Sequence, residues 1–154
     1  MIIYDKELFH KIVSSQGKLM AIDVGTKRIG IAACDELRFI ASPKKIINRT
    51  NIDNDLLLIK EFAVNNLIKA IVVGFPLHMD GKLNNMSEYC NKFAIELDSY
   101  LKKNNCELHI IFADERLTSF EAYDISREIP KRKKQKHHDD IAAAFILQRF
   151  IDNL

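Results

Sequence analysis

The sequence predicts an α/β fold: a mixed five-stranded sheet whose first three strands are antiparallel and whose last two run parallel, flanked by helices. Three observations carry this. Two apolar runs, "KLMAI" (18 to 22) and "RIGIAAC" (28 to 34), are joined by a glycine-containing turn, and "RFIAS" (38 to 42) can add a third strand, which is the pattern of antiparallel hairpins. From Asp53 the period changes. Leu56, Ile59, Ala63 and Leu67 recur at helical spacing, and the compact run "KAIVVG" (69 to 74) follows, bounded by Gly74 and Pro76. The same alternation then returns, with Met86, Tyr89, Cys90, Phe93, Leu97 and Leu101 as one apolar stripe before "ELHIIFAD" (107 to 114). Two helical crossovers of this kind imply parallel strands.

The remaining elements follow from local signals. Residues 5 to 14 read as a short leading helix. Thr118 and Glu121 form a Thr-x-x-Glu capping box, so a helix is expected from just after Thr118 to about Glu128, before Pro130. The last helix, "DDIAAAFILQRFIDNL", is apolar on most sides and opens with two acids. There is no internal repeat and no low-complexity linker, so the division expected is an N-terminal extension over 1–17 and one domain over 18–154.

A chain of 154 residues is long enough for one domain with a real core and too short for a second large one. The composition is 47% hydrophobic and 29% charged, and a net charge of +2 does not by itself imply a nucleic-acid partner. The N-terminus "MIIYDKELFHKIV" lacks the apolar core of a signal peptide, and no run approaches the roughly 18 apolar residues of a membrane span, so the cytoplasm is the expected location, without a membrane partner. Cys34, Cys90 and Cys106 are widely spaced, suggesting reduced packing residues rather than a disulfide framework or a zinc site.

Three acidic spots stand at the ends of expected elements, where sites are built in such sheets. Asp23 closes the first strand, Asp114 and Glu115 end the last, and Asp139 and Asp140 open the final helix. Each also has a local use. Asp23 suits a turn that donates backbone N–H groups, Asp114 and Glu115 a solvated strand exit, and Asp139 and Asp140 a helix cap. If the three converge, carboxylates in one small space raise one another's pKa unless cations neutralise them. Mg²⁺ suits oxygen donors, and no Cys or His cluster argues for zinc. Two such ions would activate a water and stabilise the leaving oxygen of a phosphodiester, so the reaction class would be phosphodiester hydrolysis.

The segments "DVGTKRIGIAACDE" (23 to 36), "VVGFPLHMDGK" (72 to 82), "DERLTSFEA" (114 to 122) and "DDIAAAFIL" (139 to 147), in this order and spacing, closely resemble the YqgF/RuvX family of pre-16S rRNA nucleases, also described as Holliday-junction-resolvase-like proteins. The match runs from about Leu19 to Phe150. The resemblance implies a ribonuclease H-like fold and nuclease chemistry dependent on Mg²⁺ or Mn²⁺, with two ions. It places the catalytic, metal-holding acids on Asp23, Glu115 and Asp139; Asp139 is preferred to Asp140 because the family's acid precedes its Ala-Ala pair by three positions, here Ala142-Ala143. The chain departs from the family at His78, where Asn is frequent, and at Ser119, where Thr is frequent; its segment between Arg127 and His137 is shorter than in some relatives.

Basic residues surround these acids along the chain. Lys27 and Arg28 follow Asp23, and Arg116 adjoins Glu115, so all three are candidates for phosphate contact, against the alternative of solvated turns. The run "KRKKQKHH" brings Lys131, Arg132, Lys133 and Lys134 just before Asp139, as a backbone-gripping or merely solvated loop. The loop "GFPLHMDGKLNN" has no nucleotide-phosphate spacing, and its His78 is either a substrate contact or a surface residue.

Other functions compete. "DVGT" also resembles the first phosphate loop of actin and sugar kinases, but those need two domains to close on a nucleotide. A non-catalytic adaptor on RNA or the transcription machinery would have no chemical need for all three acids. Among nucleases, junction resolution calls for a two-fold dimer. No dimer stripe is left over once the core is built, so a monomer or weak dimer processing the 5' end of precursor 16S rRNA is preferred to one acting on branched DNA.

Overall fold

The computed structural model describes residues 1–76, 85–114 and 138–154, with Asp114 and 138–140 described through their backbone. The elements are β1 (Ile2–Ile3), α1 (Lys6–Ile12), β2 (Leu19–Val24), β3 (Arg28–Cys34), β4 (Ala41–Asn48), α2 (Ile52–Asn65), β5 (Ala70–Phe75), α3 (Asn85–Lys103), β6 (His109–Asp114) and α4 (His138–Ile151). The helix expected after Thr118 and its capping box lie outside the described residues.

The strands form one sheet in the order β1-β6-β5-β2-β3-β4. β2, β3 and β4 are antiparallel neighbours, while β2, β5 and β6 run parallel, as the two crossover helices require. Two differences from the sequence reading stand out. A sixth strand exists: Ile2 and Ile3 pair in parallel with Ile110 and Ile111, extending the five expected strands at the β6 edge. A two-residue strand carries too little periodicity to be read from a sequence. The third strand begins at Ala41 rather than at Arg38, because the chain from Asp35 to Ile40 is used up in a turn.

That turn is organised by one carboxylate. Asp35 accepts from the backbone N–H groups of Ile40 (2.7 Å), Phe39 (2.9 Å) and Leu37 (3.1 Å). Arg38 takes a left-handed backbone (φ 59°), and its guanidinium donates to the carbonyls of Gly17 (2.9 Å) and Ser14 (2.6 Å), tying the turn to the link between α1 and β2. The strand that follows lies at the sheet edge. Its Pro43, Lys44 and Lys45 are exposed, which keeps the open edge from pairing with another chain.

Each face of the sheet has its own core. On one, Met20, Ile22, Val24, Ile71 and Val73 pack against Leu56, Ile59 and Ala63 of α2 and Phe93, Ala94 and Leu97 of α3. On the other, Leu19, Ala21, Ala32, Ala70, Val72 and Ala113 meet Phe9 of α1 and Ala143, Ile146, Leu147 and Phe150 of α4. Alanines on both sides of this second layer let α4 approach the sheet closely, which explains the small residues opening that helix. Cys34 and Cys90 are buried in these cores outside any disulfide; burial pushes the Cys34 thiol up, and its Sγ accepts from Leu19 N–H at 3.2 Å.

The N–H groups of Ile40, Phe39 and Leu37 hold the Asp35 carboxyl below the usual carboxylate range. A depressed folded-state pKa contributes stability that is present above the ordinary carboxylate value and is lost as pH falls through the folded one. Asp35→Ala is therefore expected to lower the Tm at neutral pH, with the gap to wild type narrowing below about pH 4. Parallel melting curves at pH 7 and pH 3 check this; a gap of equal size at both would contradict it.

Candidate active site at the carboxyl edge of the sheet

Asp23 lies one residue before the end of β2. Alternation along that strand gives it the parity of Leu19 and Ala21, the α4 face, while Met20, Ile22 and Val24 face α2 and α3. It is half-buried and stands opposite Gly30 of β3. A carboxylate here is the one charged position in a strand whose other residues are buried and apolar. Such a position is costly to maintain for packing alone.

The registers bring further acids to the same edge. Ile22 pairs with Val73 and Val73 with Phe112, so the carboxyl ends of β2, β5 and β6 are level across three neighbouring strands. Two residues further Phe75 pairs with Asp114, the last residue of β6. Helix α4 comes to this edge by its first turn. Gln148, near its other end, accepts from Ala41 N–H (2.9 Å) and donates to Phe39 C=O (3.1 Å), while Ala41 pairs with Cys34 beside Leu19 at the amino end of β2. From Gln148 back to Asp139 is about 13.5 Å of helix. From Leu19 to Asp23 is about 13 Å of strand. The backbone of Asp139 and Asp140 thus belongs to the end of α4 that points along β2 toward Asp23.

Lys27 and Arg28 are exposed at the β2–β3 turn, next in the chain after Asp23 and Val24. Glu115, Arg116, His78, Lys131, Arg132, Lys133 and Lys134 lie outside the described residues, as does the side chain of Asp139. Among the described residues, no three His, Cys, Asp or Glu side chains form a group able to hold a metal ion. The described part of the edge therefore contributes one carboxylate, Asp23, whose hard oxygen donors suit Mg²⁺ or Mn²⁺.

The turn after Asp23 is held by a device that the sequence reading missed. Gly25 N–H donates to Arg28 C=O at 2.9 Å, and a Cβ at Gly25 would sit 2.6 Å from that oxygen, so the turn closes only on glycine. Arg49, just past β4, then grips it twice: its backbone N–H donates to Lys27 C=O (3.0 Å) and its Nη1 to Gly25 C=O (2.9 Å). The same guanidinium donates through Nε to Asp55 Oδ2 at 2.7 Å and through Nη1 to the Tyr89 hydroxyl, and it lies over the Tyr89 and Phe93 rings. Asp55, 1% exposed, is the buried anion that fixes it. The available signal was an acid on the apolar stripe of α2, one turn before Ile59.

Comparison with known proteins gives the family and the fold. The sequence profile of the family RuvX, described as Holliday junction resolvase, matches residues 17–153. A protein of Endomicrobium trichonymphae is 40% identical over 142 residues, covering 88% of this chain and 95% of its own, and one of Pelagibacter ubique (strain HTCC1062) is 37% identical over 139 residues, covering 89% of both. Each carries the name "Putative pre-16S rRNA nuclease". Among solved structures, Thermus thermophilus RuvC matches with a TM-score of 0.57 at 11% identity, covering 89% of this chain and 95% of that one. The same organism's RuvC in complex with Holliday junction substrate matches at 0.54 and 13% identity, covering 88% and 94%. At such identities the likeness is one of fold, the ribonuclease H-like sheet expected from the motifs.

The Arg49 clasp has a measurable consequence. Arg49→Ala leaves Asp55 buried without its cation, which is expected to cost about 3 to 5 kcal/mol of stability. Arg49→Lys keeps a charge but cannot donate to Gly25, Asp55 and Tyr89 together. In that variant phosphodiester cleavage should fall further than the Tm alone accounts for. Cleavage rates of the Lys variant, measured well below its Tm, check this, and a wild-type rate would contradict the link between clasp and turn.

Proposed function

Because this chain belongs to the RuvX family, matched over residues 17–153, we propose that it is a nuclease that hydrolyses phosphodiester bonds in precursor 16S rRNA, at the 5' end, during ribosome biogenesis. The observation that carries the reading is the half-buried Asp23 at a sheet edge where β2, β5 and β6 end together and α4 begins. The relatives' names favour an RNA substrate, and the protein would act in the cytoplasm as a monomer or weak dimer. Among the described residues no helix is long and apolar enough to cross a membrane.

In this reading Asp23, Glu115 and Asp139 hold two Mg²⁺ or Mn²⁺ ions. Glu115 is covalently next to the last residue of β6, and Asp139 lies in the first turn of α4, so both are attached to elements that reach the Asp23 edge. A bound divalent cation supplies a lowered water pKa and stabilisation of the leaving oxygen. The chain's own residues do the rest. The three carboxylates fix the position of the reacting phosphate indirectly, and Lys27, Arg28 and Arg116 neutralise the non-bridging oxygens of the strand being cut. Lys131, Arg132, Lys133 and Lys134 grip the backbone further along, and His78 lines the substrate path. The rigid turn held by Arg49 keeps Lys27 and Arg28 at a fixed distance from Asp23.

A second reading, action on four-way DNA junctions, is favoured by the family's description and by the fold shared with the junction-bound RuvC. Incubation of an end-labelled precursor 16S rRNA and of a four-way DNA junction with Mg²⁺ or Mn²⁺ separates them. Metal-dependent cutting of the RNA, reduced about a hundredfold or more in Asp23→Asn, is expected. Cutting of the junction alone would replace RNA with DNA in the proposal, and binding without cutting, unchanged by the variant, would leave an adaptor.

A further inference from the structure

A cavity of about 320 Å³ lies beside the candidate site, on the α4 face of β6. Its wall includes Ala113, next to the strand's last residue, so it opens along β6 away from the carboxyl edge. Two of its lining residues, Tyr4 and Lys6, belong to the N-terminal segment that precedes the family match. That segment is anchored by the pairing of β1 with β6 and by Phe9, which meets Phe150 edge-on at 5.4 Å.

The lining has the chemistry of a nucleic-acid contact. Among the described residues, Lys6 and Arg149 are its charged side chains and no carboxylate lines it. Lys6 lies over the Phe150 ring and donates to the Asn153 carbonyl only at 3.5 Å, which leaves its ammonium available to another acceptor. Arg149 Nη1 is out of contact with solvent and has no hydrogen-bond partner. An unsatisfied cationic donor is expensive, and the guanidinium that carries it lines the cavity, where it would attract an anion. Tyr4, which also lines the cavity, is 74% exposed and reaches round the open edge of β6 to hold its ring against Phe112 at 5.7 Å, with Phe75 behind Phe112 at 4.9 Å; both of these rings pack with the α2–α3 core. A tyrosine so exposed, yet braced by a second ring, offers a free π-face to an unpaired base.

We propose that the N-terminal segment builds a second strand-binding subsite, in which Tyr4 stacks an unpaired base and Lys6 and Arg149 hold the adjoining phosphate of a single-stranded stretch of substrate. The inference rests on the reading of this protein as a nuclease, because it supplies a strand to the neighbouring edge. Its role is to grip and orient; the subsite takes no part in the bond cleavage itself. Position gives it a direction: a strand crossing the carboxyl edge of β6 continues over Ala113 into the cavity. The single-stranded requirement follows from the exposed ring, since a base already stacked in a duplex presents no face to Tyr4.

The test is equilibrium binding of a fluorescent single-stranded RNA oligonucleotide, and of the same sequence as a duplex, to full-length protein without divalent metal. Wild type, Tyr4→Ala, Lys6→Gln and Arg149→Gln are compared over a range of salt concentrations. Tyr4→Ala should weaken single-strand binding about fivefold or more while changing duplex binding little. Each cation variant should flatten the dependence of log K on log salt by about 0.7. Tyr4 and Lys6 are exposed, so their variants keep the fold even if loss of Arg149 disturbs α4. Equal affinities and slopes for wild type and the Tyr4 and Lys6 variants would overturn the subsite, as would a wild type that binds only duplex. Either result would leave the nuclease reading intact if the same preparation cuts precursor rRNA when metal is added.

Discussion

The parallel pairing of β2 with β5 and of β5 with β6 is the constraint on which the rest depends. It makes three strands end on one edge, and the crossover helices that parallel pairing demands become the layer that buries one face. The opposite face is left for α1 and α4, and its alanines admit α4 closely enough for its first turn to share the carboxyl edge. An acid in the penultimate position of β2 is then the natural place for a charge: one residue earlier it would lie deep in a core, one residue later on the other face. The location of the candidate site thus follows from topology before any chemistry is considered.

Most of this architecture is legible in the sequence because strong periodicity marks it. The runs around Ile22, Ile31, Val72 and Ile111 are too apolar to be anything but buried strands, and the stripes of α2 and α3 announce themselves at helical spacing. The errors fall where side chains override pattern. Phe39 and Ile40 look like strand residues, yet Asp35 captures both of their N–H groups and moves the start of β4 onward. Ile2 and Ile3 become a strand only because β6 offers them an open edge, a relation between residues far apart in the chain. Of the site, Asp23 could be singled out by its neighbours alone. Arg49 could not, since its partners come from the β2–β3 turn, α2 and α3.

The clasp and the N-terminal segment show two ways of shaping a site from outside it. Arg49 is tied to a buried carboxylate, and one of that carboxylate's oxygens, Asp55 Oδ1, has no hydrogen-bond partner; the geometry is rigid at some cost in stability. It makes the turn carrying Lys27 and Arg28 a fixed platform rather than a floppy hairpin tip. The N-terminal segment instead adds surface, placing an aromatic ring and an ammonium next to β6 without disturbing the edge. In the proposed reading one positions and the other contacts the phosphate backbone, and neither needs to touch the bond that breaks.

In the proposed function Asp23 holds a divalent cation. Titration calorimetry of Mn²⁺ into wild-type protein and Asp23→Asn, with a melting curve of each metal-free form, tests it without recourse to any substrate. The variant is expected to be as stable as wild type or more so without metal and to bind Mn²⁺ at least about tenfold more weakly. Equal Mn²⁺ affinity in two equally folded proteins would contradict it and return Asp23 to the part of a turn acceptor.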